Sequence, residues 1–143
     1  MKTDSLRLDH QLCFPLYAGA KEIIRLYRPF LEPLGLTYTQ YIAMMVFWEH
    51  KQINIKKLGE LLYLDSGTLT PLLKRMESQG LVTRQRSVQD ERHVIVSITA
   101  KGEKLKELAG EIPEKIASCI SLDETEAKTL YQLLHKMLIS CHA

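Results

Sequence analysis

From Leu8 to Leu31 the apolar residues recur mainly at helical spacing, with Leu12, Leu16, Ile23, Ile24, Leu26, Tyr27 and Phe30 carrying the period. Asp9 is the expected N-cap of this first helix, and Pro29 and Pro33 mark its far end. Pro15 interrupts the pattern. It has no N–H to bond the carbonyl of Gln11, so the helix is expected either to kink or to start late.

Thr37-Tyr38-Thr39-Gln40 has the spacing of a capping box and opens a second helix, to about His50. Asn54 is placed to cap a short third helix carrying Leu58, Leu61 and Leu62. Asp65 caps a fourth, in which Leu69, Leu72, Leu73 and Met76 follow the i, i+3, i+4, i+7 spacing of one buried face. Gly80 ends it.

After Gly80 the period falls to two. Residues 81–86 and 93–98 alternate as strands, and the polar stretch from Ser87 to Arg92 makes the tip of a hairpin. Thr99 caps a fifth helix running to about Cys119, with Pro113 as the expected break. Ser121-Leu122-Asp123-Glu124 reads as a second capping box, opening a last helix to about Cys141. The predicted order is four helices, a hairpin and two helices, without repeats or linkers.

Composition narrows the class. A chain of 143 residues with 45% apolar and 25% charged residues is one globular domain, neither disordered nor dependent on disulfides or metals for a core. No apolar run approaches the ~18 residues of a membrane span, and the polar start is no signal peptide. A soluble, cytoplasmic chain is expected. The net charge of +2 is unevenly spread: residues 51–100 hold eight Lys/Arg against five Asp/Glu, while the flanking thirds are balanced or slightly acidic. A basic surplus confined to the middle points weakly to a phosphate-bearing partner. Cys13, Cys119 and Cys141 form no C-x-x-C, and the five histidines are scattered, so neither a metal nor a cofactor is expected.

Two short helices joined by a tight turn and followed by a basic hairpin make a winged helix-turn-helix pattern, mainly α with a small β-hairpin. With the leucine face buried, the fourth helix exposes Ser66, Gly67, Thr68, Thr70, Pro71, Lys74, Arg75 and Gln79. Small residues at its start permit close approach to DNA, and its first N–H groups can meet phosphates. Arg75 and Gln79 are placed to reach base edges in a major groove. An ordinary polar helix face is the bland alternative, but no Asp or Glu lies between Ser66 and Arg75. On the hairpin, Arg84 and Arg86 share a strand face suited to phosphate contact. At the tip, Asp90 is expected to hold Arg92 outward, toward a minor groove.

The run Leu64-Asp65-Ser66-Gly67-Thr68-Leu69-Thr70-Pro71-Leu72-Leu73-Lys74-Arg75-Met76-Glu77, with Gly80-Leu81-Val82 and Asp90-Glu91-Arg92, resembles the DNA-binding core of MarR-type repressors. More narrowly, Leu12-Cys13-Phe14 with Tyr17, then Thr37-Tyr38 and Gln40-Tyr41, is similar to the organic hydroperoxide resistance regulators of that family. The resemblance spans nearly the whole chain. It implies a homodimeric cytoplasmic repressor on double-stranded, pseudo-palindromic DNA. Residues of about 38–98 would be the DNA-binding core, with dimerisation helices at about 8–32 and 100–141. It also implies that Cys13 senses organic peroxides and that its oxidation releases DNA, with Tyr27 and Tyr38 reaching its sulfur and Cys119 near the place of a resolving thiol. Pro15 departs from the pattern, and Cys141 has no assigned role.

The residues themselves permit two readings of Cys13. A cysteine is most often an inert small hydrophobe. Near the start of a helix, however, the N–H dipoles favour a thiolate, partly opposed here by Asp9, and Tyr17 stands one turn on. Tyr27 lies 14 residues further, about 21 Å along the same helix, so any contact with that sulfur must come from another subunit. Two rival functions remain: a repressor released by a small aromatic ligand, and a thiol peroxidase using Cys13. No Thr or Arg flanks Cys13 to activate a peroxide for turnover, and a basic hairpin would be idle in an enzyme.

Overall fold

The computed structural model describes residues 4–90 and 92–142, and its first helix, α1 (Cys13–Leu31), starts late. Asp9 does not cap it. The Asp9 carboxylate accepts bonds from Arg7 Nε and Nη2 at 3.0 and 2.8 Å, and Leu8–His10 forms a separate 3₁₀ turn. Leu12 occupies the cap position without a side-chain bond. Pro15 therefore stands in the first turn, where backbone N–H groups have no intrahelical acceptor, and its missing donor costs nothing.

Thr37 and Gln40 close the capping box of α2 (Tyr38–His50): Thr37 Oγ1 accepts from Gln40 N–H, and Gln40 Oε1 accepts from Thr37 N–H at 3.0 Å. This helix is apolar on nearly every side and forms the centre of the core, with Tyr41, Ala43, Met44, Phe47 and Trp48 buried. Asn54 and Asp65 cap α3 (Ile55–Leu62) and α4 (Ser66–Ser78) as their positions predict. Leu69, Leu72, Leu73 and Met76 of α4 are all buried, each such side chain contributing roughly 1.5–3 kcal/mol. Gly80, in the left-handed region at φ 77°, turns the chain out of α4.

The hairpin is part of a larger sheet. β2 (Val82–Arg86) and β3 (Val94–Ile98) pair antiparallel with Arg84 opposite Val96, and β1 (Gln52–Asn54) pairs with the other edge of β3, giving the order β1-β3-β2. β1 was not expected, because three residues are too few to show an alternating pattern. Thr99 caps α5 (Ala100–Ala109), but the predicted long fifth helix is two, with α6 (Ile112–Cys119) separate. The break falls at Gly110-Glu111, and Pro113 sits in the first turn of α6, where it is tolerated. The last capping box is also shifted. Asp123 and Glu126, not Ser121 and Glu124, open α7 (Glu124–Cys141).

The chain divides into two compact units, Met1–Ile112 and Pro113–Ala143. In the first, α1 and its cap residue leave Leu12, Phe14, Leu16, Tyr17 and Ile24 exposed. In the second, α7 exposes Leu130, Tyr131, Leu133, Met137 and Ile139 and has no buried residue. Helices with such apolar surface are normally covered by another chain.

Candidate functional site

The exposed surface of α4 begins at Asp65. Its Oδ1 accepts the Thr68 N–H at 2.8 Å, and this backbone bond is the main reason its pKa lies below the usual carboxylate value. The start of α4 thus already holds a negative charge. The expectation that its N–H groups meet phosphate is weakened accordingly. Ser66, Gly67 and Thr68 are exposed, Thr70 is half-buried, and Lys74 and Arg75 point to solvent one turn on.

Two residues expected to contact DNA, Gln79 at the end of α4 and Arg84 on the hairpin, are bonded within the protein. Gln79 donates from Nε2 to the Gly35 carbonyl at 3.0 Å and accepts from Gln40 Nε2 at 3.1 Å. Its amide is turned toward the start of α2, not toward a groove. Arg84 is held by Glu77: Nε and Nη2 donate to Glu77 Oε1 at 3.3 and 3.1 Å, and the Arg84 N–H donates to Oε2. The bond from Arg84 pulls the Glu77 pKa down and ties β2 to α4. Arg84 therefore braces strand β2 to α4. Arg86, two residues on, remains at the exposed end of the strand.

The hairpin tip is a hydrogen-bonded chain. Asp90 accepts from Arg92 N–H, Nε and Nη2, all at 3.1 Å, leaving the Arg92 side chain 88% exposed. His93 Nε2 lies 3.4 Å from the same carboxylate, and its Nδ1 is 3.1 Å from Asn54 Nδ2. Asn54 Oδ1 is committed to capping Lys56 N–H, so Nδ2 is the donor, Nδ1 of His93 accepts, and the ring proton sits on Nε2 toward Asp90. The tip is thereby anchored to Asn54, the last residue of β1 and the cap of α3. Sequence reasoning missed His93. Its signal was present only as the residue beside Arg92.

Cys13 is the first residue of α1 and is exposed, with no acidic residue in that turn. Tyr17, one turn on and also exposed, carries Lys21 Nζ over its ring at 5.1 Å. At the far end of α1, Tyr27 stacks against Tyr38 and Tyr41 of α2, with ring centroids 4.9 and 5.7 Å away. Burial raises the pKa of all three hydroxyls, aided at Tyr27 and Tyr41 by the neighbouring phenols, so they stay neutral donors. Tyr41 belongs to the motif that carries the resemblance, but the sequence did not place it with Tyr27 and Tyr38. It follows directly after the capping-box glutamine that positions Tyr38. Cys119 ends α6 and Cys141 ends α7, both exposed and unpaired. Among the described residues no cluster of His, Cys, Asp and Glu could hold a metal ion, and no helix is long and apolar enough to cross a membrane.

Residues 25–108 match the SarA/Rot family of transcriptional regulators. The organic hydroperoxide resistance transcriptional regulator of Bacillus subtilis is 48% identical over 141 residues, covering 99% of this chain and 96% of that protein. Among solved structures, reduced AbfR bound to DNA superposes with a TM-score of 0.79 at 35% identity, over 100% of both chains. AbfR, a protein of Staphylococcus epidermidis, has also been solved in a disulfide form, which matches with a TM-score of 0.68 at 32% identity over 100% of this chain and 98% of that one. With the same helix-turn-helix and wing, and with relatives of this closeness across its whole length, the chain belongs to the MarR-type winged-helix transcriptional regulators, in the organic hydroperoxide resistance group.

Proposed function

We propose that this protein is a homodimeric DNA-binding repressor of the cytoplasm that senses organic hydroperoxides by oxidation of Cys13 and then releases its operator. The observation that carries the reading is the position of Cys13: it is exposed at the start of the helix whose other end packs Tyr27 against Tyr38 and Tyr41. In a dimer built on the apolar surfaces of α1 and α7, Tyr27 of one subunit would approach Cys13 of the other. The sensing step transfers one oxygen: the sulfur attacks the peroxide O–O bond, leaving a sulfenic acid and the corresponding alcohol. The sulfenic acid then condenses with a second thiol, water leaving, and Cys119 is the candidate for that thiol. AbfR, with its DNA-bound reduced form and its disulfide form, is a relative in which both states exist.

The deciding experiment follows operator release and intact mass together. One equivalent of cumene hydroperoxide should make the protein heavier by one oxygen, or lighter by two hydrogens if a disulfide forms, and should release DNA. Dithiothreitol should reverse both. Release by salicylate with no change of mass would favour the ligand-responsive regulator, and sustained peroxide consumption with added thiol would favour the peroxidase.

The DNA-facing side chains should separate by their signatures. Ser66, Gly67, Thr68, Thr70, Lys74 and Arg75 form the proposed major-groove surface, with Arg86 and the Asp90–Arg92 tip beside it. Arg92→Ala should weaken binding to all sequences and lower the salt slope by about 1. Arg75→Ala should instead relax preference at one operator position, by about 1–3 kcal/mol where the contact is bidentate. Unchanged affinity in both variants, measured across salt, would remove these assignments.

A further inference from the structure

We infer that the Gln40–Gln79 amide pair is the link through which the tyrosine cluster sets the position of α4, making Gln79 a positioning residue for release rather than a reader of DNA. The inference rests on the function proposed above. Gln40 is 4% exposed, and both ends of its amide are committed: Oε1 accepts from Thr37 N–H at 3.0 Å and Nε2 donates to Gln79 Oε1 at 3.1 Å. It lies between Tyr38 and Tyr41, the two rings that pack on Tyr27. Gln79 directly follows α4. Its Nε2 donates to the Gly35 carbonyl, and its own carbonyl accepts from Lys101 Nζ at 2.7 Å. The end of α4 is thus joined by directional bonds to the first turn of α2, to the turn that precedes it and to α5.

α2 and α4 are in contact, and both bury apolar side chains, Met44 in α2 and Leu73 and Met76 in α4; apolar contacts are non-directional and permit sliding. A hydrogen bond is lost within a fraction of an ångström beyond its normal range or on misalignment. A rotation of the first turn of α2, driven from the tyrosines, must therefore either carry the end of α4 with it or leave a buried amide unpaired. Stability alone does not call for such a pair, because two apolar side chains of the same shape would be nearly neutral. The amides add a direction.

The test compares the parent with Gln79→Met, and with Gln40→Met and Gln79→Met combined, in full-length protein. The reading is the ratio of operator affinities before and after one equivalent of cumene hydroperoxide, with Cys13 oxidation followed by mass. In the parent the ratio should be large. In Gln79→Met, Cys13 should oxidise at the parental rate and the reduced protein should still bind operator, but the ratio should fall by about tenfold. The double variant, which leaves no amide unpaired between these positions, should match the single one. A purely structural role would lower affinity in both redox states and leave the ratio unchanged. That result in the folded double variant overturns the inference. Should Gln79→Met prove unfolded, Gln79→Ala, which likewise removes the acceptor for Gln40 without adding volume, takes its place with the same expected ratio. Absence of release in the parent is a different failure, and it counts against the proposed function.

Discussion

Cys13→Ser is expected to bind the operator like the parent and to keep it after hydroperoxide treatment, whereas the parent should lose affinity by about tenfold or more, equivalent to ~1.4 kcal/mol. The substitution exchanges one small side chain for another at an exposed first helical position, so its effect on stability should stay within about 0.5 kcal/mol. What it removes is the sulfur. A serine hydroxyl does not attack a peroxide to form a sulfenic acid, so the first step has no substitute. The companion variants order the later steps. Cys119→Ser should still be oxidised at Cys13 but should release DNA less durably, or only with an added thiol. Cys141→Ser should behave as the parent. Forming a Cys13–Cys119 bond requires the Cα atoms within about 7 Å, and helices at the proposed dimer interface would have to move if they start further apart. If Cys13→Ser still leaves its operator on oxidation, Cys13 is not the sensor, and the ligand-responsive reading takes over.

Gly102→Ala should destabilise the fold and weaken operator binding, although helix propensity alone argues the opposite. Gly102 lies inside α5, where alanine is favoured by about 0.8–1.0 kcal/mol. A Cβ there would stand 2.5 Å from the Leu81 carbonyl oxygen and 2.8 Å from Ile98 Cγ1. The carbonyl cannot swing away cheaply, since it accepts from Thr99 N–H at 3.0 Å and from Thr99 Oγ1 at 3.1 Å. Overpacking of this kind costs about 1–3 kcal/mol, so relief of the clash outweighs the propensity gain. The cheapest relief moves α5 away from the strands, which displaces the wing that carries Arg92. Gly102 also accepts the indole N–H of Trp48 at 3.0 Å, and Trp48 is the single tryptophan, so its fluorescence reports the same event. Thermal unfolding followed by that fluorescence should show a melting point lower by several degrees. A variant as stable as the parent would show that the helix and strands do not approach this closely.

The sequence by itself determined the elements whose signals lie within four residues of where they act. The Thr37–Gln40 box and the caps at Asn54, Asp65 and Thr99 all form as their spacing predicts, because a cap is a bond between a side chain and a backbone N–H two or three residues away. The leucine face of α4 and the Asp90–Arg92 pair were legible for the same reason. Where two local options competed, the chain alone did not choose. Ser121 and Asp123 both have a glutamate three residues on, and Asp123 prevails.

Only the tertiary structure decided what lies between distant segments. β1 exists because β3, more than forty residues later, offers it an edge. Gln79 turns inward because its partners, Gly35 and Gln40, are 44 and 39 residues away in sequence. Arg84 meets Glu77 because the register of β2 sets it against α4. Tyr41 joins Tyr27 and Tyr38 because α1 and α2 pack with those faces together. Periodicity states which residues a helix exposes or buries, but not which residues it will meet. Hydrogen bonds and ring contacts of long sequence separation are fixed only when the core closes and excludes the water that would otherwise satisfy these groups.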